Sequence, residues 1–477
     1  MLISVQNILG SQLSAISGQH LEIELPLSKS ESNRALMIAH YAGIQCFDDL
    51  ETWRLGDSVS LSDSDDTVLL QKHLNTLNQY IQNSLSEVRS PLTLELDCHN
   101  AGTVFRFLMT AVANLHLGDL ESRGLGVLLT GSERMKSRPV SSLVEALRSL
   151  GVSIEYTEKE GYPPILLTAL MVNSQQSTVN RQQTLSTTLH PPLSTLHSLE
   201  ISAEQSSQFA SSLLLASPLW KDGLELHLTG NLSSLPYIDM TINMMRQCGV
   251  DVVRNDRDIT VKQGIYNIEN IKVEPDWSAA AFWYEMVSLS DDAEVMLKNL
   301  NINSLQADAA AIKMFENLGV KTIATEEGTV VKKVNGQQPT ANSQRSTFNF
   351  QFSTFNFKDC PDLFPAVIAA CAGNKVNATF MGLKNLSIKE SDRKRAMMNE
   401  LSKINIAFED VSDDELKMFC PDELPYFTEE NPIIFNNYED HRIAMALSIL
   451  SMKIGAISME NVEVVSKSYP GFFKHAV

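Results

Sequence analysis

The sequence predicts an α/β protein made of six copies of one supersecondary unit, grouped into two lobes. Three observations carry that prediction. A small polar cluster followed at once by a strongly apolar helical stretch occurs six times. An amphipathic helical segment follows each of these. Short segments of alternating polarity, the mark of half-buried strands, stand between and after the helices.

Taken in order, the apolar helical stretches are 28–43, 100–115, 204–219, 274–289, 360–373 and 439–455. Each offers Ser, Asn or Asp where an N-cap belongs. Each is apolar on most sides, and a helix that is apolar all round has to be buried. The amphipathic partners are 63–77, 138–152, 236–250, 307–320 and 389–406, with YPGFFKHAV at the C-terminus as the sixth. Three of them stop at Gly151, Gly249 and Gly319, each followed by Val. Glycine there supplies the left-handed residue that ends a helix before a strand. The segments 152–158 and 250–256 alternate as those strands. The unit therefore reads strand, buried helix, strand, amphipathic helix, strands.

Three stretches fall outside the unit. Residues 173–199 are rich in Ser, Thr and Gln; residues 336–357 share that bias and add Phe; residues 45–62 form a smaller excursion. All three are expected to be surface insertions between strands, the first two partly disordered.

Composition narrows the function. The chain has 477 residues, is 43% hydrophobic and 20% charged, and carries 38 Lys plus Arg against 57 Asp plus Glu, a net charge of −19. Such a surface repels nucleic acid and anionic membranes, so no nucleic-acid or membrane partner is expected. No apolar run approaches the ~18 residues of a spanning helix. No Lys or Arg precedes Lys29, which argues against a secretory or transit leader and for a cytoplasmic protein. The six cysteines form no CxxC and lie near no His at metal spacing, so reduced thiols and no metal are expected.

The polar clusters at the helix starts carry the chemistry. The first holds Ser28, Lys29, Ser30 and Arg34; the second Asn100, Gly102 and Arg106; the third Ser206, Ser207 and Gln208. The fifth holds Asp362, and the sixth Asp440, His441 and Arg442. Buried helices that aim their N-termini at one place focus free N–H groups and positive dipole ends there. With Arg134, Lys136, Lys389, Arg393 and Lys467 added, the set suits a polyanion. Singly, each residue has a plainer explanation: Asp362 and Asp440 as helix caps, Arg106 as a structural ion pair, Lys29 and Arg393 as solvated charges. The residues alone reach an enzyme that binds small phosphorylated, carboxylated molecules, with Asp362 and Glu390 as acid/base candidates.

SKSESNRA, NAGTVFRF, LTGSERMKSRPV, SSQFASSLL, LPYIDMT, PDLFPAV, NLSIKESDR, EDHRIAMA and SKSYPGFF, in that order between residues 28 and 473, resemble the signature segments of the EPSP synthase family (3-phosphoshikimate 1-carboxyvinyltransferases). The resemblance implies a two-lobed inside-out α/β barrel with three βαβαββ units per lobe. It places one lobe at 27–274, including insertion 173–199. The other, discontinuous lobe is 1–26 plus 275–477, including insertion 336–357. It implies enolpyruvyl transfer from phosphoenolpyruvate to the 5-hydroxyl of shikimate 3-phosphate, with release of phosphate, without a cofactor, by a monomer.

Position by position, the resemblance makes Asp362 the base at the 5-hydroxyl and Glu390 the carboxylate that moves the C3 proton, with Lys29 sharing in proton transfer. Lys29, Ser30, Arg34, Ser206, Ser207, Gln208, Ser234, Tyr237, Asp362, Asn385 and Lys389 match positions that bind shikimate 3-phosphate. Lys29, Gly102, Arg134, Gln208, Arg393, Arg442 and Lys467 match those for phosphoenolpyruvate. Cations on both lobes lead to the expectation of closure on anionic substrate.

Two departures stand out. Leu27 occupies a place where the family usually has Gly or another small residue, and a left-handed backbone there would be costly for Leu. Phe107 stands where many members have Pro or Leu, close enough to disturb the backbone at Gly102 and Thr103. The nearest alternative is the sister enzyme that acts on UDP-N-acetylglucosamine. It typically has a Cys in the loop corresponding to Gly131–Arg138, and here that loop has none. A non-catalytic protein of the same fold is the second alternative.

Overall fold

The computed structural model describes residues 3–4, 20–43, 54–55, 59–85, 93–115, 126–168, 197–202, 206–230, 232, 234–334 and 352–475. The chain divides into two compact units. One comprises Met1–Lys29, Ser62–Asp65 and Glu274–Val477, and the other Ser30–Leu61 and Asp66–Val273.

Among the described residues, the Ser30–Leu61, Asp66–Val273 unit holds two four-stranded sheets and a two-stranded hairpin. In the first sheet, Thr93–Asp97 runs parallel to Gly126–Thr130 with Leu94 opposite Val127, and Ile165–Thr168 and Ser153–Tyr156 continue it antiparallel. The second repeats the plan with His197–Ser202, Leu224–Thr229, Asp258–Val261 and Val252–Asn255. A parallel pair needs a crossover helix, and Gly102–Ala113 and Ser207–Ala216 supply it. Phe105, Phe107, Leu108 and Met109 on the first and Leu213, Leu214 and Leu215 on the second are fully buried. Removing each such side chain from water stabilises by about 1.5–3 kcal/mol, which is why helices without a polar face occupy the core.

The Glu274–Val477 unit, with its N-terminal contributions, follows the same logic. Ser353–Asn356, Ala378–Met381, Glu415–Phe419 and Ala407–Ser412 form one complete sheet. Glu294–Lys298, Gly328–Lys333 and Val320–Ala324 form another, which His20–Ile23 completes as the parallel neighbour of Glu294–Lys298, with Leu21 opposite Val295. Ile3–Ser4 likewise joins Ile457–Met459 and Ile433–Phe435 in a three-stranded sheet. Trp277–Leu289, Phe364–Gly373 and His441–Ile449 are the buried helices of this unit.

Each apolar stretch expected from the sequence contains a helix, beginning with Lys29–Tyr41, and each amphipathic one does too. Gly151, Gly249 and Gly319 have φ of 91°, 85° and 79°, the left-handed stop expected of them. Four of the six units carry a full four-stranded sheet; the described strands of the other two form the hairpin and the three-stranded sheet, and no sheet closes on itself among the described residues.

Capping differs from expectation in two units. Ser206, Asp276 and Asp440 cap through their side chains. The second helix has Ala101 at its N-cap, and Asp362 lies inside the Pro361–Leu363 3-10 turn, its carboxylate drawn to cations instead of backbone N–H groups.

Residues 173–196 and 336–351 lie outside the described residues, whereas 198–199 and 353–356 belong to strands. Of the 45–62 excursion, Arg54–Leu55 and Val59–Ser60 pair as the hairpin, and Val59 and Leu61 are buried. Leu27 makes a bridge with Pro275 and is not among the residues of positive φ, so it bears no left-handed strain. Phe107 leaves its helix intact and lies 5.8 Å beneath the Arg34 guanidinium. Cys98, Cys248, Cys360, Cys371 and Cys420 are free thiols; Cys46 lies outside the described residues.

Candidate active site

In the Glu274–Val477 unit, the candidate acid/base groups sit within a web of cations. Asp362 accepts from Arg393 Nη1 at 2.6 Å and from Arg442 Nη2 at 3.1 Å, and Lys389 Nζ stands 3.4 Å away. Glu390 accepts from Arg393 Nη2 at 2.9 Å, and its other oxygen lies 3.6 Å from Lys467 Nζ. Arg393 reaches Asp440 as well, with Nε 2.8 Å from Oδ2. Five sequence-predicted residues, Asp362, Lys389, Glu390, Arg393 and Arg442, thus join in one network, with Lys467 at its edge. Asn385 lies in the Lys384–Ile388 turn that leads into Lys389. Lys29 is buried and donates its backbone N–H to Asp276, 3.3 Å away.

The local sequence explains this convergence. Asp392 caps the Arg393–Ser402 helix, which puts Arg393 at its first position with Glu390 one turn upstream. Asp440 caps the His441–Ile449 helix through the Arg442 N–H. Before that cap the chain turns sharply, with Tyr438 at φ 54° and Glu439 at φ 55°. Two successive non-glycine residues in that region are strained. Asn437 holds them: its Oδ1 accepts from the Glu439 N–H at 2.9 Å, and its Nδ2 donates to Glu460 O at 2.6 Å.

The electrostatics follow from burial and neighbours. Burial pushes the Asp362 carboxyl up, but Arg442, Lys389 and Arg393 together outweigh it and hold the group well below the usual carboxylate range. Burial lowers Arg393, yet Asp440, Glu390 and Asp362 raise it well above its ordinary value. Fully buried His441 is held well below the usual histidine value by burial, with Lys29, Arg442 and Lys467 adding to the effect. It is neutral at pH 7. Burial and then the nearby Asp362 charge push Asp308 up to about 7, against Arg442.

In the Ser30–Leu61, Asp66–Val273 unit, the candidates gather at helix starts. Ser206 caps the Ser207–Ala216 helix by accepting from the Gln208 N–H at 3.2 Å. Ser234, at the N-cap of Leu235–Gln247, has φ 57° and makes no side-chain cap bond. Arg34 is buried and donates to Thr241 Oγ1 at 2.7 Å, Ser30 O at 2.7 Å and Tyr237 O at 3.1 Å, which ties the predicted Ser30, Arg34 and Tyr237 together. Burial brings its pKa down to about 10, against Tyr237 and Glu31.

Gly102 opens its helix under two guanidiniums: a Cβ there would lie 2.6 Å from both Arg106 Nη1 and Arg138 Nη1. Arg134 is half-buried in the Glu133–Lys136 turn. Lys136 departs from expectation, since its Nζ pairs at the surface with Glu158 at 3.0 Å and Glu133 at 3.5 Å.

Sequence reasoning missed several of these groups. Asp440, a cap by its position in sequence, is also the anchor of Arg393. Ser391, which donates to Asp440 Oδ2 at 3.0 Å, lies within the KESDR segment and had a usable signal. Thr241 lies within the LPYIDMT segment, and Ser211, which accepts from Arg34 Nη2 at 3.4 Å, lies within SSQFASSLL, so both had a signal of the same kind. Asp308 had none, because its partners are remote in sequence.

The comparisons with known proteins agree with one another. The family model for EPSP synthase (3-phosphoshikimate 1-carboxyvinyltransferase) matches residues 13–475. A 3-phosphoshikimate 1-carboxyvinyltransferase from Bacteroides fragilis is 33% identical over 467 residues, 97% of this chain and 95% of that protein. One from Vibrio vulnificus is 30% identical, covering 95% and 94% respectively. A solved EPSP synthase structure from Acinetobacter baumannii shares the fold with a TM-score of 0.64 at 20% identity, over 96% of this chain and 95% of that one. The chain belongs to the EPSP synthase family.

Proposed function

We propose a division of labour among this chain's residues for the reaction it catalyses, the transfer of the enolpyruvyl group of phosphoenolpyruvate to shikimate 3-phosphate in aromatic biosynthesis. Both substrates carry several negative charges, so binding calls for arrays of charge-assisted hydrogen bonds. Ser206, Ser207 and Ser234 hold the shikimate phosphate, with Asn385 and Lys389. Ser30, Arg34 and Tyr237 serve the rest of the shikimate moiety. Gly102, Arg134, Arg393, Arg442 and Lys467 bind phosphoenolpyruvate, and Lys29 and Gln208 serve both substrates.

In the first step the 5-hydroxyl oxygen bonds to C2 of phosphoenolpyruvate, the hydroxyl proton passes to Asp362, and C3 takes a proton from Glu390. In the second, the C–O bond to phosphate breaks, the departing phosphate takes the proton held by Asp362, and a C3 proton returns to Glu390, leaving the enolpyruvyl ether. Lys29 shares in these transfers. The reading uses no metal or organic cofactor.

The observation that carries the base assignment is the hold of Arg393, Arg442 and Lys389 on Asp362. Pairing this tight keeps the carboxylate ionised but weakly basic. A general base works best with its pKa near the working pH. An anionic substrate that draws Arg393 and Arg442 onto its own oxygens loosens their hold on Asp362 and raises its basicity. The base is thereby strengthened when substrate is present. We further assign the chain to the cytoplasm as a monomer; light scattering on the purified chain checks the second point.

The test of the reading is phosphate release from phosphoenolpyruvate, with and without shikimate 3-phosphate, by the unaltered chain and by Asp362→Ala. Release that requires both substrates and collapses in the variant supports the assignment. Undiminished release from the variant removes Asp362 from the role of base.

A further inference from the structure

We propose that Arg106 is a positioning residue that sets the polarity of Gln208, so that the amide meets an anionic substrate with an N–H and never with its oxygen. The proposal rests on the reading that Gln208 faces substrate.

The geometry leaves one arrangement. Arg106 Nη1 donates to Gln208 Oε1 at 2.6 Å, and Gln208 Nε2 donates to Thr103 Oγ1 at 2.7 Å. A guanidinium has donors only, whereas a hydroxyl both donates and accepts. Thr103 therefore accommodates either end of the amide, and Arg106 accepts just one. Turning the amide over would set its NH2 against the guanidinium, donor against donor. With the oxygen taken by Arg106 and one N–H by Thr103, the remaining N–H is what Gln208 has to offer a ligand. Without Arg106 the amide is free to turn, and a turned amide presents a lone pair, which repels phosphate and carboxylate.

The surroundings hold Arg106 in this task. It is buried, and its guanidinium lies 5.2 Å from the ring centre of Phe209, the residue after Gln208. Thr103 and Arg106 belong to the Gly102–Ala113 helix, and Gln208 and Phe209 to Ser207–Ala216. The same two helices are joined again further along, where Thr110 hydrogen-bonds Ser212. One turn before Arg106 stands Gly102, where a Cβ would approach Nη1 to 2.6 Å, so the absence of a side chain there is a condition for this reach.

The experiment compares the full chain with Arg106→Met, Arg106→Lys, Gln208→Ala and the double variant Arg106→Met/Gln208→Ala. It measures shikimate 3-phosphate binding by calorimetry, and kcat and KM for phosphoenolpyruvate. Loss of one hydrogen bond to a charged group is expected to weaken binding about 10- to 100-fold in Arg106→Met and in Gln208→Ala. The double variant should be no worse than Gln208→Ala, and Arg106→Lys should recover most of the affinity. Losses that add in the double variant, or an Arg106→Met variant that binds normally, overturn the proposal.

If Arg106→Met does not fold, Gln208→Glu decides the matter. It keeps a partner for Arg106 but has no N–H to offer, so it should bind no better than Gln208→Ala, and normal binding by it overturns the proposal. Failure of the unaltered chain to bind shikimate 3-phosphate overturns the ligand reading itself and the proposal with it. Additive losses in a chain that does bind overturn the proposal alone.

Discussion

Arg393 and Asp440 form an ion pair sealed from solvent, with Nε 2.8 Å from Oδ2 and side-chain exposures of 1% and 0%. The same carboxylate accepts the Arg442 N–H as a helix cap. One acidic group therefore positions two cations that also hold Asp362. Breaking a buried pair leaves an uncompensated charge, so Asp440→Ala should destabilise the chain by about 3–5 kcal/mol. Asp440→Asn keeps the cap and should recover about 1 kcal/mol of that loss. Denaturant unfolding of the two variants measures both, and equal stability for Asp440→Ala and the unaltered chain would refute the first.

Asp362 pairs with Arg393, Arg442 and Lys389, the cations that the proposed reading assigns to anionic substrates. Asp362→Asn should lower kcat by about 10²- to 10⁴-fold, the usual size of a general-base contribution. KM for phosphoenolpyruvate should be unchanged or lower, since the cations are released. Steady-state phosphate release separates the two parameters, and a raised KM with unchanged kcat is the contrary result.

Ser234 is left-handed without capping its helix. A non-glycine residue in that conformation bears strain of about 1–2 kcal/mol. Ser234→Gly should leave thermal stability equal or slightly higher while weakening shikimate 3-phosphate binding about tenfold or more. Stability and affinity falling together would identify a structural role for the hydroxyl instead.

Glu285 sits on the buried Trp277–Leu289 helix, fully inaccessible, and neither of its oxygens has a hydrogen-bond partner among the described residues. Burial pushes its pKa well above the usual value, which favours the protonated form. The unfolded chain ionises the same group near pH ~4.3. Its contribution is full below that value and is lost as pH rises from there through the folded pKa, at about 1.4 kcal/mol per pH unit. Glu285→Leu should therefore gain stability over the unaltered chain between pH 5 and pH 8. Chemical unfolding at the two pH values tests this, and a pH-independent difference would count against it.

What the sequence by itself determined was local. The apolar stretch 100–115 reads as a buried helix, and Gly151, Gly249 and Gly319 as the left-handed stops of three amphipathic helices, because periodicity and backbone conformation are written in neighbouring residues. The basic and polar clusters at helix starts were legible for the same reason, and the motif order pointed to the family.

Tertiary structure decided the pairings. Asp362 turned from a cap candidate into the shared partner of Arg393 and Arg442, which lie 31 and 80 residues away. Arg106 found Gln208 across 102 residues, and Arg34 found Thr241 across 207. Lys136, alike in sequence to the other basic candidates, went to surface carboxylates. No local pattern encodes such distances. The charge states of Asp362, His441 and Asp308 depend on burial and on which charges stand beside them, and both arise only when remote segments pack.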